Sequence, residues 1–133
     1  MKNILPALAR LAVGAWTGAV AAIAFAVAPR VFGFLDDPER AGELMAPIFR
    51  RIDIFGIVAA ALFAVAARRS RWRFALALAL GALAAANAFV LSPLISKRDE
   101  SLDLYHGMSE AFWGVILIGG AVLALAGPTR RPD

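Results

Sequence analysis

AVAPRVFGFLDDPERAGELMAPIFRRIDIFG, residues 26–56, is the stretch that decides how this chain folds. It lies between two long apolar segments and carries strong signals for the start of a helix. Asp37 suits an N-cap, Pro38 the first helical position, and Glu39 the positive end of the helix dipole.

The residues after Glu39 alternate between apolar and charged with a helical period. Apolar side chains recur at spacings of three and four, which is typical of an amphipathic helix, at Ala41, Leu44, Met45, Ile48 and Ile52. Pro47 interrupts this pattern, because a proline inside a helix removes a backbone hydrogen bond. We therefore predict an interfacial helix over residues 38–46 and a new membrane helix that begins at residue 47.

The composition around this stretch indicates a membrane protein. The 133 residues are 61% hydrophobic, with a mean hydropathy of +0.72, whereas soluble domains are about half apolar. The apolar residues fall into four runs, so we predict helices over residues 8–32, 47–67, 72–94 and 106–127. The predicted fold class is all-α, a four-transmembrane-helix bundle with an amphipathic interfacial helix between helices 1 and 2, in a single integral membrane domain spanning residues 1–133.

The first apolar run has some features of a signal peptide, with AVA at residues 26–28. Pro29 would directly follow the cleavage point, and the run is longer than a signal core of roughly 7–15 residues, so we expect a retained helix. Gly14, Gly18 and Ala22 recur every fourth residue and form a small-residue face that would suit a neighbouring helix or a second copy of the chain.

The distribution of charge predicts the orientation in the bilayer. Eight basic residues and one acid lie on the side of the short loop RRSRWR, residues 68–73, which gives +7, and six basic and nine acidic residues on the other side give −3. Basic residues in short loops favour the cytoplasm. We therefore expect both termini to be cytoplasmic, and we expect the protein in a bacterial inner (plasma) membrane, with the lipid bilayer as its partner and no role in nucleic-acid binding.

Polar side chains at the outward-facing ends of the helices are the candidate functional residues. Arg50 and Asp53 lie at the start of the second membrane helix, Asn87 lies in the third, and Arg30 ends the first. Ionisable groups at membrane depth are costly unless they are paired, so they mark candidate sites. The alternative is that Arg50 and Asp53, at positions i and i+3, neutralise each other and only support packing.

The last helix adds a second group of candidates. His106, Ser109 and Glu110 share one face with Trp113. His106 is the single histidine, and it could ligate a metal ion or haem or carry a proton, with Glu110 orienting its ring. Met45 and Met108 could add soft sulfur ligands for copper. The chain has no cysteine, so thiolate metal sites and cysteine nucleophiles are excluded.

The motifs at residues 25–56, together with SPLI and YHGMSEAFWG later in the chain, carry a family resemblance. They resemble the transmembrane protein 205-like family (domain of unknown function 4149), which implies a four-helix membrane bundle without an established activity. A more distant likeness to copper-resistance membrane proteins and to protoporphyrinogen-oxidase-type proteins implies copper or haem as cofactors. Those groups generally use several ligand residues, and this chain departs from them with its lone His106.

The favoured function is that of a non-enzymatic membrane protein that binds or passes a small solute through an outward-facing polar cluster. One alternative is a haem- or metal-binding redox protein that uses His106. The other is a structural or assembly partner whose polar groups only fix helix packing.

Overall fold

The computed structural model describes residues 4–97 and 102–128, and all the regular structure in these two ranges is helical. Residues 1–3, 98–101 and 129–133 lie outside the described ranges, and they include Lys2 and other charged residues on which the predicted orientation depends.

The first helical unit passes through a proline without ending. It consists of α1 (Ile4–Ala22), a π-helical segment (Ile23–Val27) and α2 (Ala28–Phe34). The ring of Pro29 would clash with the carbonyl of residue i−4 in a regular α-helix. The π-helical segment widens the backbone just before the proline, where the Ala28 N–H bonds to the Ile23 carbonyl, and so accommodates it.

The second unit is α3 (Pro38–Ala66), a single helix of 29 residues. Its start is as predicted, since the Asp37 carboxylate accepts hydrogen bonds from the backbone N–H groups of Glu39 at 3.0 Å and Arg40 at 3.3 Å. The prediction of a separate interfacial helix over residues 38–46 is wrong. Pro47 lies inside α3, and the predicted amphipathic segment is the first part of the same helix.

The third unit also continues beyond its predicted end. It comprises α4 (Arg71–Ala86), a second π-helical segment (Asn87–Leu91) and α5 (Ser92–Ser96). Pro93 does not end the helix, because the π-helical segment accommodates its ring in the same way as at Pro29. The last unit is α6 (Leu102–Ala126).

The four long helices α1, α3, α4 and α6 form a ring. α1 packs against α3 and α6, and α4 packs against the same two helices, so that α3 and α6 lie across the bundle from each other. The Arg10 side chain on α1 donates from Nε to the Ala124 carbonyl near the end of α6 at 2.7 Å. The start of α1 and the end of α6 therefore lie at the same end of the bundle.

Small residues bring the helices close together in the core. A Cβ atom at Gly56 of α3 would overlap the Trp16 indole of α1, and one at Gly120 of α6 would overlap Thr17. The predicted face of Gly14, Gly18 and Ala22 contributes less to helix packing within the chain. Gly18 and Ala22 are exposed, and a Cβ atom added at Gly18 would meet no packing neighbour within 4 Å. A contact through this face with a second copy stays a prediction.

Within the described residues, three helical spans are long and apolar enough to cross a membrane: Ile4–Phe34, Arg71–Ile95 and Asp103–Ala126. In an apolar stretch of 18 residues within each span, only about a fifth to a third of the residues are buried inside the protein. Large apolar side chains such as Phe25 and Leu125 are exposed on the outside. Helices that are apolar on all sides yet exposed are typical of membrane spans. The chain is thus an all-α protein with the character of an integral membrane protein. α3 is long enough, but Arg50, Arg51 and Asp53 lie near its middle and it is not among these spans, so three spans stand where four were predicted.

Candidate functional site

A buried carboxylate lies between the four long helices. Asp53 is on α3, and its side chain is 0% exposed. It shares the inward face of α3 with Gly56 and Ala60, which are buried one and two turns further along. This spacing of three and four residues points all three toward the centre of the ring.

Asp53 accepts one hydrogen bond on each carboxylate oxygen. Asn87, the first residue of the π-helical segment that follows α4, donates from Nδ2 to Oδ2 at 2.5 Å, and Trp113 of α6 donates from Nε1 to Oδ1 at 3.1 Å. The second bond crosses the ring, because α3 and α6 are opposite helices. The carboxylate therefore connects three of the four long helices.

Two further side chains complete this polar cluster. Ser109 of α6 donates from its hydroxyl to Asn87 Oδ1 at 2.6 Å, which fixes the Asn87 amide with its nitrogen toward Asp53. Phe49, one turn before Asp53, packs edge-on against the Trp113 ring at a centroid distance of 4.9 Å. We call Asp53, Asn87, Ser109 and Trp113 the Asp53 cluster.

Of the seven candidate residues, the structure brings Asp53, Asn87 and Ser109 together, but it does not bring the other candidates to them. His106 and Glu110 are exposed, and neither has a hydrogen-bond or ion-pair partner in residues 4–97 and 102–128. The expected hydrogen bond between them is absent from those residues.

The arginines predicted near the site face elsewhere. The Arg50 guanidinium lies over the Phe89 ring, 5.8 Å from its centroid, and does not pair with Asp53. Arg30 donates from Nη1 to the Ala26 carbonyl of its own helix at 3.1 Å. The expected Arg50–Asp53 ion pair is therefore wrong, and Asp53 has no ion-pair partner within the described part of the chain.

Two tryptophans have roles that the sequence analysis missed. Trp113 was placed on the same face as Ser109, but its donation to Asp53 was not expected. Trp16 of α1 is 0% exposed, and its Nε1 atom has no hydrogen-bond partner in the described residues. The 3–4 spacing of Trp16 and Val20 with Val13 could have indicated an inward-facing Trp16.

The composition of the cluster limits the chemistry that it supports. Within the described ranges there is no group of three or more His, Cys, Asp or Glu side chains that could hold a metal ion. The roles of His106 in metal or haem binding, and of Met45 and Met108 beside it, therefore stay predictions without structural support. What the cluster offers is one carboxylate, one amide and one hydroxyl, held by hydrogen bonds in a closely packed interior.

Comparison with known proteins identifies the family. The family model described as "Domain of unknown function (DUF4149)" matches residues 11–102, a range that contains Trp16, Asp53 and Asn87. No curated protein and no solved structure matches the chain. The narrower likeness to transmembrane protein 205, and the distant ones to copper-resistance and protoporphyrinogen-oxidase-type proteins, are not confirmed. Because the matched range covers more than half of the chain, the protein belongs to the family of domain of unknown function 4149.

Proposed function

We propose that this chain is a non-enzymatic integral membrane protein that crosses the bilayer four times and binds a small solute at the Asp53 cluster. Three of the crossings are the apolar spans in α1–α2, α4–α5 and α6. The fourth is α3, which packs between α1 and α4. Arg50 and Arg51, near the middle of α3, are exposed, and long basic side chains can lie along an apolar surface while their charged ends extend toward water.

The proposed orientation has both termini in the cytoplasm of a bacterial cell, in its inner membrane. It rests on the +7 and −3 division of charge in the sequence. Reporter fusions after Ser70 and within residues 98–101 test it, with a cytoplasmic signal expected from the first and an external signal from the second. An external signal at Ser70 would contradict the proposal.

The observation that carries solute binding is that Asp53 is buried and has no basic side chain as an ion-pair partner in residues 4–97 and 102–128. A carboxylate removed from water loses much hydration energy, and two hydrogen bonds restore only part of it. A side chain of this kind inside a membrane helix is more often functional than structural. The position of the cluster at the centre of the helix ring is also where bundles place ligand sites.

A screen of thermal stability tests this proposal. Purified protein in detergent is melted in the presence of small ions and neutral polar solutes, since a solute that binds only the folded state raises Tm. The comparison uses Asp53→Asn and, as a matched control, Asp103→Asn, because Asp103 is exposed at the start of α6.

We expect at least one solute to stabilise the wild type and Asp103→Asn but not Asp53→Asn. If no solute raises Tm through Asp53, the cluster only fixes helix packing and the chain is a structural protein.

A further inference from the structure

The hydrogen bonds of the Asp53 cluster leave acceptors without donors. A carboxylate has about four lone-pair positions, and Asp53 receives one bond from Asn87 and one from Trp113. Ser109 uses its only hydroxyl hydrogen to bond Asn87, so its oxygen can only accept from any further group. The cluster therefore presents spare acceptors and one negative charge, and the hydroxyl hydrogen of Ser109, the indole N–H of Trp113 and one of the two amide hydrogens of Asn87 are already used.

The charged groups nearby do not compensate Asp53. On its own helix, Arg50 lies one turn earlier, and its guanidinium is directed to Phe89. On α6, the ionisable side chains near the cluster are His106 and Glu110, and both are exposed. From α1 and α4, the inward-facing polar groups at this level are the uncharged Trp16 and Asn87.

A third source of acceptors lies in the π-helical segment of the third unit. The Asn87 carbonyl receives its bond from the N–H of Ser92 in the wide register. The next carbonyl in that register is Ala88, and its partner would be Pro93, which has no N–H to donate. The Ala88 carbonyl oxygen is thus left without that backbone donor, and Ala88 is 0% exposed beside Asn87.

The first helical unit provides a comparison for this feature. Its π-helical segment, Ile23–Val27, precedes Pro29 in the same manner, so that the Ala24 carbonyl is the counterpart of the Ala88 carbonyl, but this segment contains no buried residue. The segment at Asn87–Leu91 buries Asn87, Ala88 and Leu91. Of the two, only the second places released backbone acceptors in the interior beside a carboxylate.

We propose that the Asp53 cluster is a binding site for a small monovalent cation, with the Asp53 carboxylate as the charged ligand and the oxygens of Ser109 and the Asn87–Ala88 region as neutral ones. This inference rests on the proposed function and names its solute class. Oxygen ligands from one carboxylate, a hydroxyl and backbone carbonyls suit an alkali-metal or ammonium ion. A divalent ion usually takes several carboxylates, whereas here one positive charge balances one negative charge.

The same chemistry fits two sources, a dissolved cation and a proton, and the experiment separates them. In the first arm, purified protein is melted at fixed pH and fixed ionic strength while N-methylglucamine chloride is replaced by sodium, potassium or ammonium chloride. In the second arm, the pH is lowered in N-methylglucamine chloride alone. Tryptophan fluorescence is recorded in both arms, because Trp113 donates directly to Asp53 and should sense a change at the carboxylate.

We expect a saturable rise in Tm and a matching change in fluorescence for the wild type and for Asp103→Asn. Both responses should be lost in Asp53→Asn. Ser109→Ala keeps the carboxylate and should shift the midpoint of the response to higher cation concentration. It serves as the second variant should Asp53→Asn fail to fold. Responses confined to the second arm would identify the proton as the cation.

Two results would overturn the inference in distinguishable ways. If a neutral or anionic solute stabilises the protein through Asp53 and cations do not, the cation assignment fails while the proposed function survives. If no cation, no change of pH and no other solute acts through Asp53, both fail together. A midpoint that is the same in Ser109→Ala and in the wild type would remove Ser109 from the site.

Discussion

Replacing Gly56 by alanine should destabilise the bundle, because Trp16 occupies the space that the new methyl group needs. An ideal Cβ at Gly56 would lie under 3.0 Å from three atoms of the Trp16 ring, which real Cβ atoms essentially never do. The Trp16 side chain is 0% exposed, and the ring is rigid, so α1 and α3 must move apart to relieve the overlap.

The magnitude follows from two opposing effects. Adding a methyl group to a tightly packed core costs about 1–3 kcal/mol, and overlap with three atoms of one buried ring favours the upper end. Replacing glycine by alanine inside a helix raises the free energy of unfolding by up to about 1 kcal/mol, because alanine has the higher helix propensity. The net loss in the free energy of unfolding should be about 2 kcal/mol.

The assay is equilibrium unfolding of the purified protein in mixed detergent, followed by helical circular dichroism. Gly114→Ala on α6 is the control, because Gly114 is exposed and a Cβ atom added there would meet no packing neighbour within 4 Å. This change should be neutral or slightly stabilising. In a Trp16→Leu background, the penalty of Gly56→Ala should shrink. If Gly56→Ala is as stable as Gly114→Ala, the close approach of α1 to α3 is refuted.

Three further predictions concern the helix start, the Asp53 cluster and the π-helical segment. Asp37→Ala removes the N-cap of α3 and should lower the free energy of unfolding by about 1 kcal/mol. Asp36 is exposed and makes none of the cap bonds, so Asp36→Ala should lower it less. Equal losses in chemical denaturation would show that the Asp37 cap does not stabilise the helix. A double-mutant cycle of Asp53→Ala with Asn87→Ala should give a coupling of about 0.5–1.7 kcal/mol, and strict additivity would show that the two side chains do not interact. Pro93→Ala removes the cause of the wide turn, so it should weaken the Asp53-dependent cation response despite better helix propensity; an unchanged response would separate the π-helical segment from the site.

The sequence supplied a set of seven candidate polar residues, but not which of them meet. Asp53, Asn87 and Ser109 belong to that set and form one network. The i, i+3 spacing suggested an Arg50–Asp53 pair, yet Arg50 is exposed and contacts Phe89. A long basic side chain can extend outward from a helix, whereas the short Asp53 side chain stays where its backbone places it.

The division of the last helix into inward and outward residues also required the structure. His106, Ser109, Glu110 and Trp113 cover an arc of about 100° on a helical wheel, at about 100° per residue. The edge of the buried face falls within that arc, so Ser109 and Trp113 reach the cluster while His106 and Glu110 are exposed. Spacing alone gives the relative positions of the four side chains, but the neighbouring helices decide which side is covered.

The prolines were the main source of error in the predicted helix boundaries. Pro47 was expected to begin a helix and lies within α3. Pro93, next to the predicted helix end at residue 94, also lies within a continuous helical unit. Transmembrane helices tolerate proline because local adjustments and neighbouring groups satisfy the released carbonyls. At Pro29 and Pro93 the adjustment is a π-helical segment, and such a segment depends on packing that a single sequence does not display.

A structural role for Asp53 and a role in cation binding predict opposite effects of Asp53→Asn in the absence of small cations. Asparagine has the same shape, and it can accept from Trp113 with its oxygen and donate from its nitrogen to Asn87 Oδ1 once the Asn87 amide turns over, with the Ser109 hydroxyl then accepting from Asn87 Nδ2. It removes a buried charge that has no ion-pair partner in residues 4–97 and 102–128, and replacing buried charges by neutral groups is often neutral or stabilising. In N-methylglucamine chloride at neutral pH, Asp53→Asn should therefore be at least as stable as the wild type, and the wild type should overtake it only when the cation is added. A variant that is less stable in every salt and at every pH would mean that the negative charge itself supports the fold, and the cluster would then be a packing element.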